Sequence, residues 1–305
     1  MDLAQFQTQL RVDPSVALQT PVLNPQSAAG PSHRLQFIVE FVGPRTTPAS
    51  LANALFDPKW YAALGKPERW TMSAADNQWQ PMVQTMSGSY DSIAISWDLL
   101  SPKGEITAEA AAHLFSAAEK LSTHFNRRAI PLPHPKDVSA AVAELKSIRD
   151  NFDAGFSVVV LPRRGPVAES KLWILCSRLG LTFGSRSGTF DWIVPGTDQL
   201  LFSVSPLGGD ESFSLGNVTG QIERDGLLLG FNIPTSPAPE AAMEGLLKAA
   251  LYFGSELDAE IFDDQDRRLT DQVQRESKQA LTQVIAAMKK AGIAPGSKEA
   301  LKLFA

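Results

Sequence analysis

Residues 200–268 decide the fold, and they read LLFSVSPLGGDESFSLGNVTGQIERDGLLLGFNIPTSPAPEAAMEGLLKAALYFGSELDAEIFDDQDRR. Side chains alternate in character over 200–205 and over 227–233, which is the period of half-buried antiparallel strands. Each strand ends at a proline, and apolar residues then recur at helical spacing between Ala242 and Phe253. A short strand at 259–262 and an acidic turn at 263–268 follow. This stretch therefore predicts an antiparallel sheet with a crossover helix.

Three features of this region resemble the ZipA C-terminal domain family, whose bacterial members bind the tail of the tubulin-like division protein FtsZ. They are LFS at 201–203, the strand ending in Ile233-Pro234 with the helix after it, and FDDQDRRLT at 262–270 before the last helix. The order of elements between Phe156 and Met288 also fits the family. The resemblance implies a non-enzymatic cell-division adaptor that binds the FtsZ C-terminal peptide and stabilises or bridges FtsZ filaments.

Length and composition limit the other classes of protein. The chain has 305 residues, which suits two domains, and 44% hydrophobic with 20% charged residues is typical of a globular protein. A net charge of −5 argues against a nucleic-acid partner, because phosphate contacts need a basic surface. Cys176, the single cysteine, falls on a predicted helix, where we expect it to be a small buried residue.

The N-terminal region shows no candidate membrane segment. Residues 14–32 contain four prolines, so we expect residues 1–32 to form a disordered leader. The family resemblance implies an N-terminal transmembrane anchor, and no stretch of this sequence fits one. We therefore expect no direct membrane insertion and a cytoplasmic protein at the division septum. Association with the inner membrane would need an anchor outside this sequence.

A similar order of elements occurs in both halves of the chain. Residues 33–151 and residues 152–305 each read as strand, helix, several strands, helix, strand and helix. Two split βαβ units of this kind predict an α+β protein with tandem ferredoxin-like domains, each an antiparallel sheet with helices on one face. The first domain would be a degenerate repeat of the ZipA-like second domain.

Patterns that carry catalysis or bind metal are scarce, and no pattern requires a cofactor. All four histidines lie in the first half, and His113 and His124 are three turns apart on one predicted helix. Since the second half has no histidine, we do not expect a nucleophilic triad there. Three aspartates of the turn at 263–268 lack the spacing of a calcium loop, so we expect them to cap the last helix. The sequence predicts no enzyme.

The outward face of the second sheet is the candidate binding site. Alternation sends Phe202, Val204, Leu229, Phe231 and Ile233 into the core and leaves small and apolar residues, Leu201 included, outside. Small residues let a peptide backbone approach, and apolar residues supply contact area. This pattern predicts that the peptide-binding residues include Ser157, Val159, Ser205, Leu207, Leu228, Gly230 and Asn232. The resemblance implies a groove on the same face and adds Arg186, Gly188 and Gly209.

Two alternatives stay open at this point. These outward residues could be ordinary exposed sheet positions, or the first domain could pack over them. The second class of function is an enzyme or small-ligand sensor with a site between two ferredoxin-like domains, since this fold hosts many functions.

Overall fold

The structure is a computed structural model that describes residues 6–23, 30–43, 46–61, 66–73, 77–84, 88–101, 104–208, 212–218 and 222–304. Its contacts divide the chain into two units. We call Pro25–Asn151 with Leu301–Ala305 the first unit, and Met1–Asn24 with Phe152–Ala300 the second unit. These units differ from the predicted ranges 33–151 and 152–305 at both ends of the chain, and those ranges stay a prediction.

The first unit is built on a five-stranded antiparallel sheet of order β4-β3-β6-β1-β9. Its strands are β1 Gln36–Val42, β2 Thr47–Pro48, β3 Glu68–Met72, β4 Trp79–Pro81, β5 Ser89–Tyr90, β6 Ser92–Asp98, β7 Leu100–Ser101, β8 Gly104–Glu105 and β9 Arg128–Leu132. Its helices are α1 Ala49–Ala52, α2 Ala108–Phe125 and α3 Val138–Phe152, with short 3-10 turns at Asn53–Phe56, Pro58–Tyr61 and Pro135–Asp137.

The second unit is built on a six-stranded antiparallel sheet of order β12-β13-β14-β16-β10-β17. Its strands are β10 Gly155–Pro162, β11 Val167–Ala168, β12 Thr182–Gly184, β13 Thr189–Ile193, β14 Leu200–Leu207, β15 Glu223–Arg224, β16 Gly226–Asn232 and β17 Ala259–Asp263. Helices α4 Glu169–Arg178, α5 Leu215–Val218, α6 Pro239–Leu257 and α7 Asp271–Lys290 belong to it, and α8 is Lys298–Phe304.

Antiparallel sheets combined with helices confirm the predicted α+β class. Thr107 begins α2 as the sequence predicts, and its hydroxyl accepts a hydrogen bond from the Ala110 amide at 3.1 Å. None of the helices among the described residues combines the length and the apolar character that a bilayer crossing needs.

The two sheets repeat one order of elements. In each sheet, the first strand lies between the last strand of that sheet before the long helix and the strand that follows the helix. These neighbours are β6 and β9 for β1, and β16 and β17 for β10. A two-stranded ribbon accompanies each sheet, β2 with β5 and β11 with β15. The second sheet adds β12 at its edge.

A segment that the sequence assigns to the disordered leader packs against α4 within the second unit. Phe6 is fully buried, and its ring meets the ring of Trp173 edge to face at 6.2 Å. The Asp13 amide donates to the Arg178 carbonyl at 2.9 Å, so the segment follows the end of α4. An aromatic side chain that fills a hydrophobic gap outweighs the disorder-promoting composition around it.

Two expectations about local structure are wrong. Leu201 is fully buried rather than outward, because the pairing of β13 with β14 shifts between Trp192 and Ile193 and places both Leu201 and Phe202 in the interior. The acidic turn does not cap α7, the long helix that follows it. Thr270 caps α7, with its hydroxyl accepting from the Val273 amide at 3.3 Å.

Candidate peptide-binding face

Helix α6 covers one face of the second sheet. It contacts β10, β14, β16 and β17, and Gly245 on it lies directly against the ring of Trp192 in β13. Val158 and Val160 point to this side and are fully buried, whereas Val159 between them is half-buried. Phe202, Val204, Leu229, Phe231 and Ile233 are also buried, as predicted. The opposite side, which we call the outward face, therefore carries Val159 and its cross-strand neighbours.

An apolar row crosses four strands of the outward face. Phe262 of β17 pairs with Val159 of β10, Val159 pairs with Leu228 of β16, and Leu228 pairs with Ser205 of β14. Directly paired residues of an antiparallel sheet share one face and contact each other. All four side chains are half-buried, so they present a contiguous strip of partly exposed surface.

A row of small residues runs beside the apolar row. Ser157 of β10 pairs with Gly230 of β16, which in turn pairs with Ser203 of β14. A methyl group added at Gly230 would lie 3.3 Å from Cβ of Ser157, so even alanine at this position would be in tight contact with the neighbouring strand. The absence of long side chains makes this row a shallow trough next to the apolar row.

The trough becomes polar toward the edge strand β12. Asp191 of β13 pairs with Ser203, and its Oδ1 accepts hydrogen bonds from the hydroxyls of Ser203 at 2.7 Å and Thr189 at 2.8 Å. These bonds hold the carboxylate in place. The outward face thus offers apolar contact at its centre and a fixed negative group at one side.

Three predicted site residues are not members of these rows. Leu207 is half-buried at the end of β14, where it pairs with Gly226. Arg186 is exposed in the turn between β12 and β13 and makes no ion pair with any residue in the described part of the chain. In the same turn Gly188 is buried, with its carbonyl accepting from the Phe213 amide at 2.7 Å. Gly209 lies outside the described residues.

Asn232, also predicted, is committed to local structure. Its Oδ1 accepts from both the amide and the hydroxyl of Thr235 at 3.1 Å, and its Nδ2 donates to Asp153 at 3.3 Å. Ser157, Val159, Ser205, Leu228 and Gly230 are therefore the predicted residues that the sheet brings together, and Leu207 borders them.

Sequence reasoning missed two residues of the face, Phe262 and Asp191. Phe262 alternates with the core residue Ile261, so its outward direction was available from the strand period. Its place beside Val159 depends on the pairing of β17 with β10, two strands that are about 100 residues apart in the chain. Asp191 likewise needs the β13–β14 register to be recognised.

The acidic turn after β17 is organised by one carboxylate. Asp263 accepts hydrogen bonds from the amides of Gln265 and Arg267 at 3.0 and 2.8 Å, and from Nε of Arg267 at 2.8 Å. Burial acts to raise the pKa of Asp263, but these bonds and the Arg267 charge together hold it below its ordinary value. The turn folds back beside β17, where Arg268 forms a bridge to Phe262.

The two rows of the outward face supply groups that suit contact with a peptide. Among the residues that the structure describes, no group of three or more His, Cys, Asp and Glu could hold a metal ion. What the rows provide is apolar area, space for a backbone and fixed hydrogen-bonding groups.

The fold and this face define an α+β domain with an open sheet platform. Residues 156–280 match the family model of the ZipA, C-terminal FtsZ-binding domain. The second unit therefore contains a domain of the ZipA C-terminal family, as the sequence motifs predicted, and this family is described by protein binding rather than by catalysis. No curated protein matches the chain.

Proposed function

We propose that this chain is a non-enzymatic cell-division adaptor that binds the C-terminal tail of FtsZ on the outward face of the second unit. The observation that carries the proposal is the apolar row Phe262–Val159–Leu228–Ser205, which lies half-exposed inside the residues matched to an FtsZ-binding family. The tail contributes apolar side chains to this row, and its backbone lies along the trough at Gly230.

The affinity is modest. Only three side chains of the apolar row are apolar, and the trough beside it consists of serine and glycine. Each fully buried apolar side chain contributes roughly 1.5–3 kcal/mol, so the missing large side chains cost affinity. Arg186 adds an exposed contact with an acidic residue of the tail, worth about 0.2–1 kcal/mol.

The two units act as tandem ferredoxin-like domains in this proposal. In the sheet of the second unit, four neighbouring strands have the order β17-β10-β16-β14. Along the chain, α4 follows β10 and α6 follows β16, which supports a split βαβ arrangement. The first unit repeats the order with β9-β1-β6-β3. We also propose that the two domains span residues 33–151 and 152–305.

Binding to filament tails places the protein at the division septum, where it stabilises or bridges FtsZ filaments. Co-sedimentation with assembled FtsZ tests this role, with FtsZ lacking its C-terminal tail as the control. Pelleting with both forms equally would contradict a role that depends on the tail.

A titration of labelled FtsZ C-terminal tail peptide into the full chain tests the site. Leu228→Glu puts a charge in the apolar row, and we expect it to weaken binding by about 10- to 100-fold. Leu251→Glu is the matched control, because Leu251 is 49% exposed on α6, the helix that covers the opposite side. Equal affinity for Leu228→Glu and the unmodified chain would refute the assignment of the face.

A further inference from the structure

A buried ion pair lies at one end of the second sheet. Glu169, the first residue of α4, and Arg224 of β15 have side chains that are 0% and 2% exposed. Oε2 of Glu169 lies 2.8 Å from Nε of Arg224 and 2.7 Å from its Nη2. Taking two charges out of water is unfavourable unless the geometry is good and further hydrogen bonds satisfy both groups. Such a pair therefore points to a requirement for defined geometry.

Arg224 also donates hydrogen bonds to the chain on either side of the loop that follows β14. Nη1 donates to the carbonyl of Gly208 at 2.7 Å, and Nη2 donates to the carbonyl of Ser212 at 2.8 Å. One guanidinium thus fixes two points of the chain that are four residues apart. A lysine would keep the charge, but its ammonium group lacks the planar arrangement of N–H donors that makes these hydrogen bonds.

Glu169 fixes the same segment slightly further on. Its Oε1 accepts from the Ser214 amide at 3.1 Å, and its Oε2 accepts from Nδ2 of Asn217 at 3.2 Å. The indole nitrogen of Trp173 also donates to Oε1, at 3.3 Å. The pair and its partners join α4, β15 and residues 212–217 into one network.

This network connects to Leu207 on one side and to the turn that carries Arg186 on the other. Gly208 directly follows Leu207, and the Leu207 carbonyl accepts from the Asp225 amide, the neighbour of Arg224, at 3.0 Å. On the other side, the Phe213 amide donates to the carbonyl of Gly188 at 2.7 Å. Gly188 belongs to the turn that carries Arg186. Two residues of the predicted peptide-binding set, Leu207 and Arg186, are thus attached to the network.

We propose that the Glu169–Arg224 pair positions Leu207 and Arg186 as the rim of the peptide-binding face. This inference rests on the proposed function, because it assigns positioning residues to the same site. Neither charged group contacts the peptide; both act through the backbone at Gly208, Ser212 and Ser214. The selectivity of the face for its peptide then depends on a buried polar network that the exposed surface does not reveal.

Double-mutant cycles on the full chain test the proposal with FtsZ tail peptide. Arg224→Lys keeps the charge and removes the fork, and we expect binding to weaken about 3- to 10-fold. In the double variant with Leu207→Ala, the loss of affinity should be smaller than the product of the two single losses, because Arg224→Lys has already displaced Leu207 from its contact with the peptide. Combined with Val159→Ala, in the centre of the apolar row, the losses should multiply.

Hydrogen exchange gives a readout that does not need peptide. In Arg224→Lys the amides of Phe213, Ser214 and Asp225 should exchange faster, while the amides of β16 keep their protection. If this variant does not fold, Glu169→Gln with Arg224→Met removes both charges and leaves no unpaired buried ion. The same selective coupling to Leu207 is expected there.

The outcomes separate this inference from the proposed function. Binding by the unmodified chain, with losses that multiply at both Leu207 and Val159, rejects the positioning role alone. Unchanged exchange at Phe213, Ser214 and Asp225 rejects it as well. No binding by the unmodified chain rejects the proposed function and this inference together.

Discussion

Gly245→Ala tests which side of the second sheet is covered by α6. Gly245 is buried, and a Cβ atom built on it would lie 2.7 Å from Cη2 and 2.9 Å from Cε3 of Trp192, and closer still to Cζ3. Contacts under 3.0 Å are essentially never seen for real Cβ atoms, so the ring or the helix must move. Trp192 is 5% exposed and packs against Phe202 with ring centroids 5.4 Å apart, which leaves the ring little room.

Two effects of opposite sign decide the magnitude. Replacing glycine by alanine inside a helix is favourable by about 1 kcal/mol. Overpacking of a filled core costs roughly 1–3 kcal/mol, and the upper part of that range applies where a ring is held on both sides. We expect Gly245→Ala to lower the free energy of unfolding by about 1–2 kcal/mol.

Chemical denaturation followed by tryptophan fluorescence measures this change, and Gly254→Ala is the matched control in the same helix. A Cβ atom at Gly254 would lie 3.0 Å from Cδ1 of Ile261, the far end of a flexible side chain. We expect that control to be unchanged or more stable by up to about 1 kcal/mol. If Gly245→Ala is as stable as the unmodified chain, Trp192 does not face α6 and the outward face is assigned to the wrong side.

The remaining predictions concern stability and reactivity. Because the pKa of Asp263 is lowered in the folded chain, the stabilisation by its carboxylate is present above the unfolded pKa of about 3.8 and is lost as pH falls below that value. Asp263→Asn should lower the free energy of unfolding by about 1–3 kcal/mol at pH 7 and flatten the acid limb of a stability–pH curve. An unchanged acid limb would contradict this prediction. Phe6→Ala should cost about 3–5 kcal/mol in urea unfolding, whereas a loss below about 0.5 kcal/mol would mean that the N-terminal segment is not packed. Burial raises the pKa of the Cys176 thiol far above its ordinary value, so a thiol reagent should label it only after denaturation; stoichiometric labelling of the native chain would contradict its burial.

Strand alternation predicted most of the core of the second sheet, because buried and outward residues alternate regularly along its strands. Phe202, Val204, Leu229 and Phe231 are buried where the pattern places them. Leu201 was wrongly predicted to face outward, because the register shift between Trp192 and Ile193 depends on strand pairing and cannot be read from the sequence of β14 alone.

The candidate site was predictable only in part, because several of its properties come from contacts between distant segments. Asn232 has the right direction for the face, but its carboxamide is already bonded to Thr235 and Asp153. Glu169 and Arg224 are 55 residues apart, and nothing local indicates that they meet. The burial of Phe6 against α4 also depends on a contact between distant segments, and the proline content of residues 1–32 favoured a prediction of disorder.

The chemical shifts of the backbone amides, recorded while FtsZ tail peptide is added to the full chain labelled with nitrogen-15, test the central claim most directly. We expect the largest changes at Val159, Leu228 and Gly230, whose rows form the outward face, and small changes along α6 on the opposite side. Changes concentrated on α6 or in the first unit, or no change at millimolar peptide, would contradict the account.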